Sequence, residues 1–420
     1  MLKRRPPSVA LWILSLCFAL PAFSAIFEVS VPPQKGERYA SAGYRMWIPD
    51  GVKTLRAIII KQHGCGRDGI TYGDDLQWQE LARKWDSALL GTRLTGTSTN
   101  CAEWSNPDLG TGRALLEALR QLGGRARHPE LEYVPWALWG HSGGAFWCHA
   151  MTVRMPERVA GVFLQSGAIT VTNGPAARVP ILLNRGSNDF PVIIQRAETA
   201  FRMHRAMGGF WSLSVDPKSQ YECGQSRSLA IPFFDSILSQ RLPVPAPADG
   251  QAELMAMNSG NAWVGNLATH EIAPASAYKG EPLTACWFPN EKVARCWQEF
   301  CKTGLVKDTT PPSAPNRLRA VASDGVVLTW SATADLESGI KTFNVYRDGE
   351  KIGSYRTLMA NPNSDAFQAA NEGDEPEPVD PKMRFVDLTP PKGRHTYQIT
   401  TVNGAGLESE RSLPVEARIK

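Results

Sequence analysis

Between residues 55 and 215 the chain alternates two patterns. Short apolar runs at 55–61, 87–91, 134–139, 159–165, 179–184 and 211–215 predict strands. Between them, apolar residues recur every three or four positions at 76–85, 112–122, 146–155 and 194–207, which predicts helices. Strands apolar on both faces and separated by helices predict an α/β fold, a mostly parallel sheet covered on both sides. Past residue 315 the pattern becomes one of short alternating strands and turns. Val326-Val327-Leu328-Thr329-Trp330 alternates, and Phe343-Asn344-Val345-Tyr346-Arg347 runs into Asp348-Gly349, a hairpin signal.

The start of the chain has a different character. Lys3, Arg4 and Arg5 precede an apolar run over 9–20 and then Pro21-Ala22-Phe23-Ser24-Ala25, which predicts a signal peptide over 1–25 cleaved near Ser24 or Ala25. A secreted or periplasmic protein follows. Cys17 comes after Leu16 rather than a small residue, so no lipoprotein anchor is expected, and no other stretch is apolar for long enough to cross a membrane. Losing the signal takes the formal charge from +4 to +1, which leaves no electrostatic case for nucleic acid or stable membrane association. Seven cysteines remain: Cys65, Cys101, Cys148, Cys223, Cys286, Cys296 and Cys301. In an exported chain they favour disulfides with one thiol left over, and none has zinc spacing with histidines.

Asp308-Thr309-Thr310-Pro311-Pro312-Ser313-Ala314-Pro315 is a stiff Thr/Pro linker. It divides the chain into 26–305, a linker at 306–315 and a second domain at 316–420. In the second domain a strand ends in Trp330, another runs into Asp348-Gly349, and 396–402 leads to Asn403-Gly404-Ala405-Gly406. This resembles a fibronectin type III module and implies an immunoglobulin-like all-β sandwich, with the acidic insert at 361–381 as a surface loop.

The chemistry gathers around Gly140-His141-Ser142-Gly143-Gly144. Placed between an apolar strand and a helix, G-x-S-x-G reads as a nucleophile elbow presenting the Ser142 hydroxyl. His63-Gly64-Cys65-Gly66 follows the strand at 55–61 and supplies a candidate oxyanion loop, with the backbone N–H of Cys65, or else of Gly66, pairing with that of Gly143. His63 in such a loop orients backbone rather than acting as the base.

His63-Gly64-Cys65, Cys101-Ala102-Glu103-Trp104, the elbow and Gly186-Ser187-Asn188-Asp189 together resemble the secreted α/β-hydrolase esterases, closest to polyhydroxybutyrate depolymerases and feruloyl or acetylxylan esterases. The resemblance spans roughly 40–240. It implies an α/β-hydrolase fold, a Cys65–Cys101 disulfide and Asp189 as the triad acid, although an Asp at a strand end also serves to cap a helix. It departs at the base. Where the family shows histidine before Glu-x-Gly, this chain has Tyr221 before Glu222-Cys223-Gly224. His270, in the C-terminal extension, is the expected substitute. Trp104 and Trp147 are either core or walls of a substrate pocket together with Tyr221.

Two functions follow. One is cofactor-free hydrolysis of a carboxylic ester, polysaccharide acyl ester or polyester, through an acyl-enzyme on Ser142. The other is a catalytically impaired binding protein, which Tyr221 favours.

Overall fold

A computed structural model describes residues 25–98, 101–167, 174–247, 253–355 and 383–420. The expected signal segment before Ala25 and the insert at 361–381 lie outside the described residues. Eight strands, β1 (Ala25–Ser30), β2 (Tyr39–Ile48), β3 (Ala57–Gln62), β4 (Ser87–Gly96), β5 (Trp136–His141), β6 (Val159–Gln165), β7 (Ile181–Gly186) and β8 (Trp211–Asp216), form one sheet ordered β1-β2-β4-β3-β5-β6-β7-β8. β1 and β2 run antiparallel to their neighbours, and β3 to β8 are parallel. The central strands β3, β5, β6 and β7 are buried at every position, which is why each begins as an apolar run.

Five helices connect these strands or follow the last: α1 (Leu76–Lys84), α2 (Thr111–Ala126), α3 (Gly143–Arg154), α4 (Pro191–Ala206) and α5 (Arg227–Arg241). The Asp75 carboxylate caps α1 by accepting from the N–H groups of Gln77 and Trp78. It also pairs at 3.0 Å with Arg227 at the start of α5, so one buried charge fixes two helix origins. Beyond β8, a small antiparallel sheet of β9 (Trp263–Gly265), β10 (Ile272–Pro274) and β11 (Cys286–Phe288) packs with α6 (Glu291–Thr303). Trp297 of α6 donates its indole N–H to the Leu213 carbonyl of β8 at 2.8 Å.

Seven more strands form two antiparallel sheets of three and four: β12 (Asn316–Ser323), β13 (Gly325–Ser331) and β16 (Arg384–Asp387) in one, and β14 (Thr342–Arg347), β15 (Glu350–Tyr355), β17 (Gly393–Val402) and β18 (Val415–Ile419) in the other. Their shared core includes Val326, Leu328, Trp330, Phe343, Val345, Tyr397 and Ile399. Asp348 and Gly349 both take positive φ, 51° and 89°, as a tight β14–β15 hairpin requires.

The two cores meet. Leu76 packs on the sandwich core, Leu336 packs on the core of the larger domain, and the Gln77 amide donates to the Leu336 carbonyl at 3.0 Å. The segment expected to be only a linker is also anchored, because the Asp308 carboxylate accepts from Ser338 at 2.6 Å and Asn403 at 2.7 Å.

The expected cysteine pairing is largely not made. One disulfide forms, while Cys148, Cys223, Cys286 and Cys301 are buried thiols and Cys296 is half-buried. Burial holds the Cys148 thiol well above its ordinary pKa, so it stays protonated and unreactive.

Two predictions follow from this packing. Leu336→Asp should uncouple the domains, so that calorimetry resolves two unfolding transitions where the unaltered chain gives one; a single shared transition in the variant would refute the coupling. His149 of α3 is buried edge-on to Trp211, and burial, followed by the His204 charge, lowers its pKa to about 4. The folded state therefore resists a proton that the unfolded chain binds below 6.5. Stability should fall by up to about 3 kcal/mol as pH drops from 6.5 to 4. Urea titration of His149→Gln should show a shallower acid slope.

Candidate active site

β5 ends at His141 and α3 begins at Gly143, so the whole reversal falls on Ser142, with φ 54° and ψ −117°. A non-glycine residue held there costs about 1–3 kcal/mol. The surroundings enforce it. A Cβ on Gly140 would stand 2.4 Å from the Gly144 carbonyl, and one on Gly144 would stand 2.4 Å from the Gln62 carbonyl. Only glycine lets α3 start this close to β3. The Ser142 N–H donates to the Gln165 carbonyl of β6 at 2.9 Å, and the residue is 8% exposed.

The loop after β3 lies across the start of α3. Cys65 and Cys101 are joined by a disulfide with Cα atoms 5.4 Å apart, and a Cβ on Gly143 would stand 2.6 Å from the Cys65 sulfur. Cys65 and Gly143 are therefore neighbours. As the first residue of α3, Gly143 has no carbonyl within its own helix to receive its N–H. His63 is fully buried. Its Nε2 accepts from the Leu94 N–H at 2.8 Å, so Nδ1 carries the proton and donates to the Gly64 carbonyl at 2.6 Å. This neutral imidazole shapes the loop.

Trp104 lies with its ring centroid 5.0 Å from that of His63 and its indole edge 3.2 Å from where a Gly143 Cβ would be. It backs the loop. Trp147 does not line a pocket. It is fully buried beneath α3 and donates to the Thr111 hydroxyl at 3.2 Å, because the helix turns that side chain into the core.

The segment between β8 and α5 returns over the ends of three strands. At β7 the Gln220 carbonyl sits 1.9 Å from where a Gly186 Cβ would be, so glycine is required there. Gln165 at the end of β6 donates to the Glu222 carbonyl at 3.3 Å, and His141 at the end of β5 donates through Nε2 to the Tyr221 carbonyl at 3.0 Å. The ring of Tyr221 lies between His141 and Phe190, with centroids 5.1 Å from each. Its hydroxyl donates to Ser142 Oγ.

The structure does not bring His270 to Ser142. Its ring stands edge-on to Trp297 at 5.5 Å, and its carbonyl accepts from Gln298 at 2.6 Å, on the far side of β8. Three strand spacings, about 14 Å, separate β8 from the β5–α3 elbow. The β9–β10 hairpin is held on α6 and cannot fold over the site.

Asp189 follows β7 and is 4% exposed, and its Oδ1 accepts from the Phe190 N–H at 2.7 Å. Burial pushes its carboxyl upward, opposed by the Ser166 hydroxyl, the Phe190 N–H and the charges of His141 and Arg185. Sequence reasoning missed Phe190 and His141 as neighbours of Tyr221. A large apolar residue directly after Asp189 was the available signal for Phe190. Among the described residues no three His, Cys, Asp or Glu side chains gather as a metal site, and no helix is long and apolar enough to cross a membrane.

No protein-family model matches the chain, and neither does any curated protein. Solved structures do. A poly(3-hydroxybutyrate) depolymerase from Bordetella parapertussis aligns at 16% identity and TM-score 0.38, over 54% of this chain and 92% of its own. A ferulic acid esterase aligns at 11% and 0.37, over 47% and 92%. A dienelactone hydrolase from Anabaena variabilis aligns at 19% and 0.38, over 52% and 99%.

The Cys65–Cys101 bridge closes a loop of sequence separation 36. Replacing both cysteines by serine should lower the unfolding free energy by about 3–4 kcal/mol in urea titration. An unchanged midpoint would show that the loop is held without it.

Proposed function

We propose that the larger domain is an exported carboxylic-ester hydrolase of the α/β-hydrolase fold, working through an acyl-enzyme on Ser142. The observation that carries this reading is the strained Ser142 turn, with the Gly143 and Cys65 backbone beside it. Ser142 Oγ attacks the ester carbonyl, and the N–H groups of Cys65 and Gly143 receive the oxyanion. The Ser142 proton passes to Tyr221, the side chain in contact with the nucleophile. Collapse of the tetrahedral intermediate expels the alcohol, which takes that proton. Water then releases the carboxylic acid.

Tyr221 can accept a proton only as a phenolate. Phenols ionise near pH 10, so about one tyrosine in a thousand is in that form at pH 7. Turnover is accordingly slow at neutral pH and rises in alkali. Asp189, the proposed acid, accepts from the Phe190 N–H and the Ser166 hydroxyl and has the charge of His141 beside it. The second domain is proposed as a fibronectin type III sandwich, with seven strands in sheets of three and four in support.

A binding protein without catalysis is the second reading. It is favoured by the residue in contact with Ser142 Oγ, which is a phenol, Tyr221, rather than an imidazole.

Hydrolysis of p-nitrophenyl acetate by the mature chain tests the first reading, with Ser142→Ala as the blank. The rate above blank should rise about tenfold per pH unit from 7 to 9. Tyr221→Phe should remove that rise. Rates equal to those of Ser142→Ala at every pH would remove the hydrolase reading, and a plateau reached near pH 7 would remove Tyr221 as the base.

A further inference from the structure

The two domains enclose a cavity of about 400 Å³ between them. Its walls are the segment between β8 and α5, the start of α5, the chain leaving α6 and two loops of the sandwich. Ser142 takes no part in it. The cavity's positive charge is divided between the domains. Lys218, three residues before Tyr221, comes from the larger domain, and Lys341, just before β14, comes from the sandwich. Among the described residues neither ammonium has an ion pair or a hydrogen bond. Gly304, at the end of α6, makes room for the Lys218 stem, whose Cδ is 3.3 Å from where a Cβ would stand.

The acids of the cavity do not neutralise these lysines. Asp308 already accepts from the Ser338 hydroxyl, the Asn403 amide and the Thr310 N–H, at 2.6–2.8 Å. Burial, followed by the adjoining Asp335 carboxyl, pushes Glu337 up, towards its uncharged form. Arg227 is balanced by Asp75, 3.0 Å away. The start of the fifteen-residue helix α5 adds further positive potential, because Ser226 supplies no side-chain cap there.

The remaining lining suits a hydroxylated body. Gln225, Ser228 and Ser338 bring amide and hydroxyl groups, and Leu305 and Val306 form a short apolar strip. The Gly404 backbone comes close because a Cβ there would stand 2.4 Å from the Ser338 carbonyl. A space of this size is at the small end of ligand pockets, and holds far more than an inorganic anion.

We propose that this cavity binds an anionic saccharide, its carboxylate drawn by Lys218 and Lys341 and its hydroxyls bonded by the polar walls. Charge-assisted bonds fix the acid group, and each domain contributes one of the lysines. Such a ligand ties the segment carrying Tyr221 to the sandwich. Its binding needs no turnover at Ser142.

Isothermal titration of the mature chain with both domains, at pH 7, tests the proposal with glucuronate, glucose and inorganic phosphate. Glucuronate should bind at one site, about tenfold or more tighter than glucose, and tighter than phosphate. Lys218→Ala and Lys341→Ala should each weaken glucuronate, and the double variant should bind it no better than glucose. Ser142→Ala should bind it as tightly as the unaltered chain. Glucuronate no tighter than glucose, or undiminished binding by the double variant, would overturn the proposal. Phosphate as tight as glucuronate would overturn the saccharide, and loss of binding in Ser142→Ala would overturn the location. Both lysines are exposed, and circular dichroism checks that the variants fold. Should one not fold, Lys→Gln at the same position replaces it. Hydrolysis of p-nitrophenyl acetate decides the esterase reading separately.

Discussion

Everything at the site depends on how closely backbone can approach backbone around Ser142. The Gly144 position lies within 2.4 Å, Cβ to oxygen, of the Gln62 carbonyl, and the Gly143 position is almost as close to the Cys65 sulfur. Because no side chain intervenes, the end of β3, the disulfide loop and the start of α3 share one small volume. The strain in Ser142 is small beside what surrounds it: fully buried strands on both sides and a buried N–H bond to β6. A surface loop would relax this conformation. A sheet centre does not.

Within that frame, residue 221 supplies the side chain in contact with Ser142 Oγ. The return loop is fitted closely to the strand ends by Gly186, Gln165 and His141, so the side chain it delivers has little choice of position. An imidazole delivered there would accept the Ser142 proton near neutrality, whereas a phenol donates its own. Backbone geometry at the turn and the chemistry of the side chain at 221 are therefore separate matters.

The sheet was legible because its central strands are buried on both faces. The run at 159–165 coincides with β6, and those at 87–91 and 211–215 begin where β4 and β8 begin. β1 and β2 were not anticipated. They form the antiparallel edge of the sheet, where exposed and buried positions mix and no continuous apolar run appears. α5 was missed because Pro232 interrupts it and its middle, Ala230 to Phe234, is apolar almost all round, so no 3.6-residue stripe stands out. At the site, motif residues carry local geometry and so read directly. His270 misled because a histidine count says nothing about which side of β8 a hairpin packs on. Trp147 misled because helix phase, rather than proximity in sequence, decides which way a side chain turns.

The second domain packs on the start of α1 rather than hanging as a tethered appendage. Asp75 ends the loop after β3, and Arg227 stands just past the segment carrying Tyr221, so their buried 3.0 Å ion pair ties these two loops together. Removing one partner of such a pair costs about 3–5 kcal/mol, because the other charge is left in a dry environment. Next to Asp75 come Leu76 and Gln77, the residues on which Leu336 of the sandwich rests. On the other side of the loop, Lys61 at the end of β3 is buried against Tyr72, Trp78 and Trp139, its Nζ 4.3–4.8 Å from the three ring centroids. Burial lowers its pKa to about 7, with the Asp75 carboxylate opposing. Asp75 thus serves a helix cap, an ion pair and a buried ammonium at once. A domain resting on the residues beside Asp75 therefore bears on the loop after β3 and, through Arg227, on the segment carrying Tyr221.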